Sequence, residues 1–421
     1  MRKKIFLIFL SLMIILLPKL TEAAEFNEAE EKFICALSSM AAYESDNAIL
    51  VRGMLTSYGW TITSMYDENS KANEKVLVVS KTFEDGSLVK ILSVCGTSEI
   101  KDAEVDFRVQ KVEHNPIKNN VLVHQGFKDY ADVILKNDLE KNLLYELKGN
   151  PTEKLYITGH SLGGAVAIIT AANLIERGIP ANQIKVITFG APAVGNKGFA
   201  EEYKDKIDLE RVTVNGDPIK KSLQSLGYVH FGEVTKYKPD TKTVPHFPHM
   251  MVVYLDCAIR DYYDEKFKSK SQENNSVANK SNDELIYVAP MQVMEKSFTN
   301  DDFKYIKAVM KDQITHRFPS AVYDETAYRE VEEVDELADF DNTIEKVLTK
   351  AKAANCKKIL VQYLQAKKIK NDRDGDYRVS LEEIYYDLNG SPISMQTASV
   401  TTKELTILEA AIFAQENLNQ K

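Results

Sequence analysis

Along the first two thirds of the chain the apolar positions switch repeatedly between helical and strand spacing. Glu25–Tyr43 sets Phe33, Leu37 and Met40 on one helical face. Val76–Val79 and Leu88–Val94 are short apolar runs joined through Asp85-Gly86, the pattern of two strands and a turn. Lys154–Thr158, Ile184–Phe189 and Arg211–Val214 read as further strands, and Leu162–Glu176 as a helix ending before Gly178. Strands alternating with helices predict a mostly parallel sheet covered on both faces, in the α/β class.

The pattern changes at Lys268. From there to Asp283 the chain is Ser, Asn, Lys and Gln with little apolar content, which cannot order itself by burial and predicts a linker over 268–283. Beyond it, Asp301–His316, Asn342–Lys370 and Thr402–Asn417 carry helical periodicity. Residues 284–421 are therefore expected to form a mainly helical C-terminal region, separate from or packed against a domain over 25–267. At the other end, Arg2, Lys3 and Lys4 precede the apolar run Ile5–Leu17 and the small residues of Thr21-Glu22-Ala23-Ala24. That is the layout of a signal peptide over 1–24, and it predicts a protein that is secreted or periplasmic. The apolar run is short of the roughly 20 residues a membrane span needs.

Composition adds limits. With 421 residues, 44% of them hydrophobic, the chain can bury a large core. A net charge of −9 argues against nucleic acid as a partner. It also gives no overall attraction to anionic membranes, so any transient contact with a lipid surface is expected to come from apolar residues. Cys35, Cys95, Cys257 and Cys356 lie far apart without CxxC spacing, so no zinc site is suggested. Disulfides and buried thiols both stay open, as does the oligomeric state.

The candidate chemistry centres on Gly159-His160-Ser161-Leu162-Gly163. This is the G-x-S-x-G elbow, in which a strand-to-helix turn exposes a serine at the edge of the sheet. An apolar strand precedes it, and Gly164 and Ala165 open the helix that follows. Ser161 is the expected nucleophile, with the Leu162 N–H aimed at the developing oxyanion. A serine hydroxyl needs a base, and the base a carboxylate, in the chain order Ser, Asp, His. Asp217, in Asn215-Gly216-Asp217-Pro218, follows the strand Arg211–Val214 and fits the carboxylate. Of the histidines beyond it, His246 and His249 lie in one loop, Pro245-His246-Phe247-Pro248-His249, and spacing alone does not separate them. A histidine base must be neutral, so turnover is expected to fall as pH drops through roughly 6.5.

These residues carry a family resemblance. The elbow with Gly164-Ala165 resembles that of the class 3, fungal-type lipases of the α/β-hydrolase superfamily. Val123-His124-Gln125-Gly126-Phe127 is similar to their H-x-G-F segment, and Thr188-Phe189-Gly190-Ala191-Pro192 with Val194-Gly195-Asn196 to their F-G-x-P-x-V-G-N strand end. Asn215-Gly216-Asp217-Pro218 resembles their catalytic Asp segment, so the likeness runs roughly from Phe33 to Tyr254. It implies His249 as the base, since His249, Met251 and Tyr254 fit H-x-M-x-x-Y, with His246 as runner-up. It implies Thr97, in Val94-Cys95-Gly96-Thr97, as the second oxyanion donor. It also implies a lipid or other acyl-ester substrate and a catalysis that needs no cofactor. The stretch where such lipases carry a lid, Ser98–Asn120, is heavily charged here and reads as a solvated loop or edge strand. A phospholipase with the same triad, or a silent α/β-hydrolase acting as a binding protein, are the competing readings.

One more segment stands out. Asp372-Arg373-Asp374-Gly375-Asp376-Tyr377-Arg378-Val379-Ser380-Leu381-Glu382-Glu383 resembles an EF-hand loop. Asp372, Asp374, Asp376, Ser380 and Glu383, with the Arg378 carbonyl, would hold a structural calcium ion. Tyr377 stands where the loop needs Gly, and a solvated acidic connection is the alternative reading.

Overall fold

A computed structural model describes residues 26–43, 45–66, 75–96, 110–135, 147–150, 152–239, 247–270, 285–294, 300–324, 329–331, 337–368, 377–402 and 405–419. The predicted signal peptide and most of the predicted linker lie outside them. Helices α1 (Glu28–Ala41) and α2 (Asp46–Ser57) come first, α1 capped by Asn27 Oδ1 accepting the Glu30 N–H at 2.9 Å. Strands β1 (Thr61–Tyr66), β2 (Lys75–Thr82) and β3 (Leu88–Val94) form an antiparallel meander. The short strands β4 (Lys111–Glu113) and β5 (Leu122–His124) pair beside it, and α3 (Gln125–Ile134) follows.

The parallel part is built from β6 (Lys154–His160), α4 (Leu162–Glu176), β7 (Ile184–Phe189), α5 (Lys197–Tyr203), β8 (Asp208–Val214) and β9 (Glu233–Tyr237). The sheet order is β1-β2-β3-β6-β7-β8-β9, with every pair from β3 onward parallel. Alternate residues of each strand feed opposite layers, as the pleat requires. Leu155, Ile157, Ile184, Val186 and Leu209 pack with α3 and α4, while Tyr156, Phe189, Val212 and Val214 pack with α1 and with α6 (Met251–Lys270). The predicted α/β architecture is what forms.

The C-terminal region holds the three expected helices, α7 (Asn300–Arg317), α8 (Leu337–Ala353) and α9 (Ile407–Asn419). It also holds a seven-stranded sheet, which corrects the helical reading of its remainder. Strands β10 (Ile286–Val288), β11 (Gln292–Met294), β12 (Val322–Tyr323) and β13 (Arg329–Val331) run parallel in the order β12-β10-β14-β11-β13 around the long β14 (Lys358–Lys368). The antiparallel strands β15 (Tyr377–Tyr386) and β16 (Pro392–Thr402) complete it. The region expected over Asn342–Lys370 as one helix is thus α8 followed by β14.

This region is packed against the first. Phe303, Ile306 and Val309 of α7 and Leu408, Ala411 and Ile412 of α9 share one core cluster with Phe33, Leu37, Val51 and Leu255. A polar contact crosses the same seam: Arg260, held within α6 by Asp256 Oδ2 at 2.7 Å, donates its Nη2 to Asp302 Oδ1 at 2.6 Å. All four cysteines are buried free thiols. No helix among the described residues is long and apolar enough to cross a membrane.

Candidate active site

Ser161 stands between the end of β6 and the first residue of α4, with φ 56° and ψ −123°. A side chain rarely adopts that conformation, and here the surroundings over-determine it. The Ser161 N–H donates to the Phe189 carbonyl at 2.9 Å. The helix then has to pass close to the sheet, which only glycine allows: a Cβ on Gly163 would lie 2.2 Å from the Val94 carbonyl oxygen. Leu162 opens the helix, so its N–H is among the first-turn donors that α4 leaves without a helical acceptor.

The three residues expected to work together meet here. Ser161 Oγ lies 2.8 Å from His249 Nε2, and His249 Nδ1 lies 2.9 Å from Asp217 Oδ2. Because a carboxylate only accepts, Nδ1 carries the proton and Nε2 is free to accept from the serine hydroxyl. His249 and Asp217 are buried, while Ser161 keeps 8% exposure. Asp217 Oδ1 accepts the Ile219 N–H at 2.8 Å. Burial alone would raise the Asp217 pKa, but the His249 ring, the Tyr254 hydroxyl and the Ile219 N–H outweigh it and hold the carboxyl below its ordinary value.

Sequence reasoning used two of the supporting residues only as letters of a motif. Tyr254, on the first turn of α6, donates its hydroxyl to Asp217 Oδ2 and accepts the Val214 N–H at 3.3 Å. His160 sits beneath the site, its Nε2 2.7 Å from the His249 carbonyl and its Nδ1 2.7 Å from the Tyr43 hydroxyl. The carbonyl can only accept, so Nε2 donates and Nδ1 accepts from Tyr43. Burial, aided by the His249 ring, drives the His160 pKa down to about 3, which keeps this ring neutral and fixes that tautomer. The signal for His160 was its place next to the nucleophile; the elbow was read for its glycines instead.

Thr97 and the runner-up base His246 lie outside the described residues, as do Asp372, Asp374 and Asp376. The rest of the predicted calcium loop does not fit an EF-hand. Arg378, Ser380 and Glu383 belong to the long strand β15, where the motif needs a loop turning into a helix. The Glu383 carboxylate, needed as the bidentate ligand, is buried and taken by Arg317 Nη2 at 2.8 Å and by Gln362 and Gln415 at 3.0 Å each. Ser380 Oγ pairs with Ser399 Oγ across the sheet at 2.8 Å. Among the described residues no group of three or more His, Cys, Asp or Glu is placed to hold a metal ion.

With the geometry in place, comparison with known proteins gives the site a family. Residues 91–225 match the profile of the family described as Lipase (class 3), a span that includes Ser161 and Asp217 and stops short of His249. The lipase of Rhizomucor miehei is 34% identical over 157 residues, which is 35% of this chain and 42% of that protein. The secreted mono- and diacylglycerol lipase A of Penicillium cyclopium is 36% identical over 98 residues, covering 23% of this chain and 32% of that one. The chain spans less than half the length of these curated relatives. Among solved structures, the triacylglyceride lipase of Rhizomucor miehei aligns at TM-score 0.43 and 24% identity, over 52% of this chain and 84% of that one. Over the segment from 91 to 225 the chain is similar to the class 3 lipase family, and that segment is carried on a mostly parallel α/β sheet.

Proposed function

We propose that this protein is an exported serine hydrolase that cleaves acyl esters of lipids through an acyl-enzyme. The observation that carries the reading is the unbroken chain from Ser161 Oγ through His249 to Asp217, at 2.8 and 2.9 Å. In this mechanism Ser161 attacks the ester carbonyl carbon while His249 Nε2 takes the hydroxyl proton. Asp217 stabilises the imidazolium that forms. The tetrahedral oxyanion is held by the Leu162 N–H and by the Thr97 N–H, each such donor being worth about 2.7–4 kcal/mol. His249 returns the proton to the leaving alkoxide, and water then releases the fatty acid by the same two steps. Export rests on the N-terminal segment and on relatives whose names call them secreted.

The test is hydrolysis of p-nitrophenyl esters from acetyl to palmitoyl by the wild type and by Ser161→Ala. Turnover is expected to fall by several orders of magnitude in the variant, since only the oxyanion donors and binding remain. A long-chain preference supports lipid esters. Unchanged turnover in the variant removes Ser161 from the mechanism, and an inactive wild type favours the binding-protein reading.

A further inference from the structure

The net charge of −9 hides a local reversal beside the active site. From Asp208 to Lys238 the basic residues are Arg211, Lys220, Lys221, Lys236 and Lys238 and the acids Asp208, Glu210, Asp217 and Glu233, but Glu210 and Glu233 pair on the face of β8–β9 opposite Arg211 and Lys236. Strand β9 is the outer edge of the sheet. The pairs Arg211↔Val234 and Thr213↔Lys236 put Arg211, Val234 and Lys236 on one face of it. The crossover from β8 back to β9 runs over that same face, since its Leu223 and Phe231 pack with Leu209. Beneath it the Arg211 side chain is half-buried. Desolvation pulls its pKa down to about 10.

These charges stand where the catalytic groups stand. Lys220 and Lys221 follow Asp217 in the chain, and Lys236 and Lys238 lie at the C-terminal end of β9, the sheet end that presents Ser161 and Asp217. Interleaved with them are Leu226, Val229, Val234 and Phe247, exposed by 48%, 37%, 45% and 46%. They are four of the eight exposed large apolar residues among those described, too many on one short stretch for isolated surface positions. Phe247 reaches the mouth of the site, its ring centroid 6.3 Å from that of His249.

We propose that this β8–β9 edge docks the protein on an anionic lipid surface, with the lysines on headgroup phosphates and the apolar side chains between them. An acidic protein can do this because only the charge within a Debye length of the surface, about 10 Å at 0.1 M salt, is felt. The inference rests on the lipid-ester reading and adds to it the charge of the surface and the residues that meet it. It also revises the expectation that lipid contact draws on apolar residues alone.

The experiment is sedimentation of the full chain with vesicles of phosphatidylcholine, alone or mixed with phosphatidylglycerol, alongside turnover of the soluble ester p-nitrophenyl butyrate. The wild type is expected to bind the anionic vesicles more tightly than the neutral ones. The triple variant Lys221→Glu, Lys236→Glu, Lys238→Glu is expected to bind the anionic vesicles about a hundredfold more weakly, at about fivefold per lysine, with butyrate turnover unchanged. Equal binding to both vesicle types, or anionic binding that survives the triple reversal, overturns the proposal. Should the variant fail to fold, salt replaces it: wild-type binding that does not weaken at about 1 M, where the Debye length is about 3 Å, overturns the proposal equally. A wild type that binds vesicles but turns over no ester refutes the hydrolase reading instead, so the two failures are distinct.

Discussion

At the scale of single residues, the site is a set of groups each kept in one protonation state by its neighbours. Asp217 stays ionised although buried, because the His249 ring, the Tyr254 hydroxyl and the Ile219 N–H all donate to it. His160 is the complementary case, a ring kept neutral so that Nδ1 can accept from the Tyr43 hydroxyl while Nε2 donates to the His249 carbonyl. Its folded pKa of about 3 lies below the reference of 6.5, so between those values the unfolded chain binds more protons. The stability that His160 contributes is therefore complete above pH 6.5 and lost as pH falls toward 3. His160→Gln keeps a donor and removes the titration. Urea unfolding from pH 7 to 5 should show the wild type losing stability relative to the variant, by up to about 1.4 kcal/mol per pH unit. Parallel curves for the two proteins would mean that the ring charges in the folded state without penalty.

At the scale of elements, helix α9 shows how a local signal and a long-range contact coincide. Thr406 and Glu409 form a capping box: the Glu409 N–H donates to Thr406 Oγ1 at 3.1 Å and the Thr406 N–H to Glu409 Oε2 at 2.8 Å. The same hydroxyl donates to Asp256 Oδ1 on α6 at 3.0 Å, tying the helix to the catalytic unit. Thr406→Ala should cost about 1–2 kcal/mol, read as a lowered urea midpoint. A loss near zero would mean that packing alone holds α9. The capping box is written in Thr406-Ile407-Leu408-Glu409, yet periodicity started the helix at Thr402, which belongs to β16.

The opposite error occurred at β14. Ile344, Val347, Leu348 and Ala351 have helical spacing, and Ile359, Leu360 and Leu364 extend it numerically past the true end of the helix at Ala353. Asn355 is the stop, at φ 57°, and Asn is among the residues that most readily adopt this conformation after a helix. Strand β14 is buried along both faces, so it lacks the alternation that would have marked it. The hydrolase strands were legible because turns and helices bound them at short intervals. The elbow and Asp217 were legible because backbone geometry dictates their neighbours. Spacing alone did not separate His246 from His249, which are three residues apart in the sequence; the family resemblance pointed to His249, and it is His249 Nε2 that lies 2.8 Å from Ser161 Oγ.

At the scale of the whole molecule, the two regions cannot be treated as beads on a string. Their apolar side chains form a common cluster, with Leu408 and Ile412 of α9 in the same core as Phe33 and Leu255. Were residues 284–421 separate from the domain over 25–267, removing everything from Glu284 onward would spare turnover of soluble esters. The shared core predicts otherwise: a chain ending at Lys270 uncovers the faces of α2 and α6 and should aggregate or lose most of its ester turnover. Recovery of a soluble, fully active fragment would show that the catalytic unit can close its own core. The β8–β9 edge proposed to meet lipid lies at the far side of the first sheet from β1.

The four buried thiols have a use of their own. No bridge joins them, so packing alone keeps their sulfur from reagents. Cys35 and Cys257 lie in the core common to both regions, whereas Cys356 lies in a smaller cluster with Tyr287, Val347 and Ile359. Alkylation of each sulfur therefore times the opening of its own compartment. Unequal clocks would mean that the C-terminal sheet breathes while the nucleophile stays sheltered; a single shared rate would mean that the molecule opens as one.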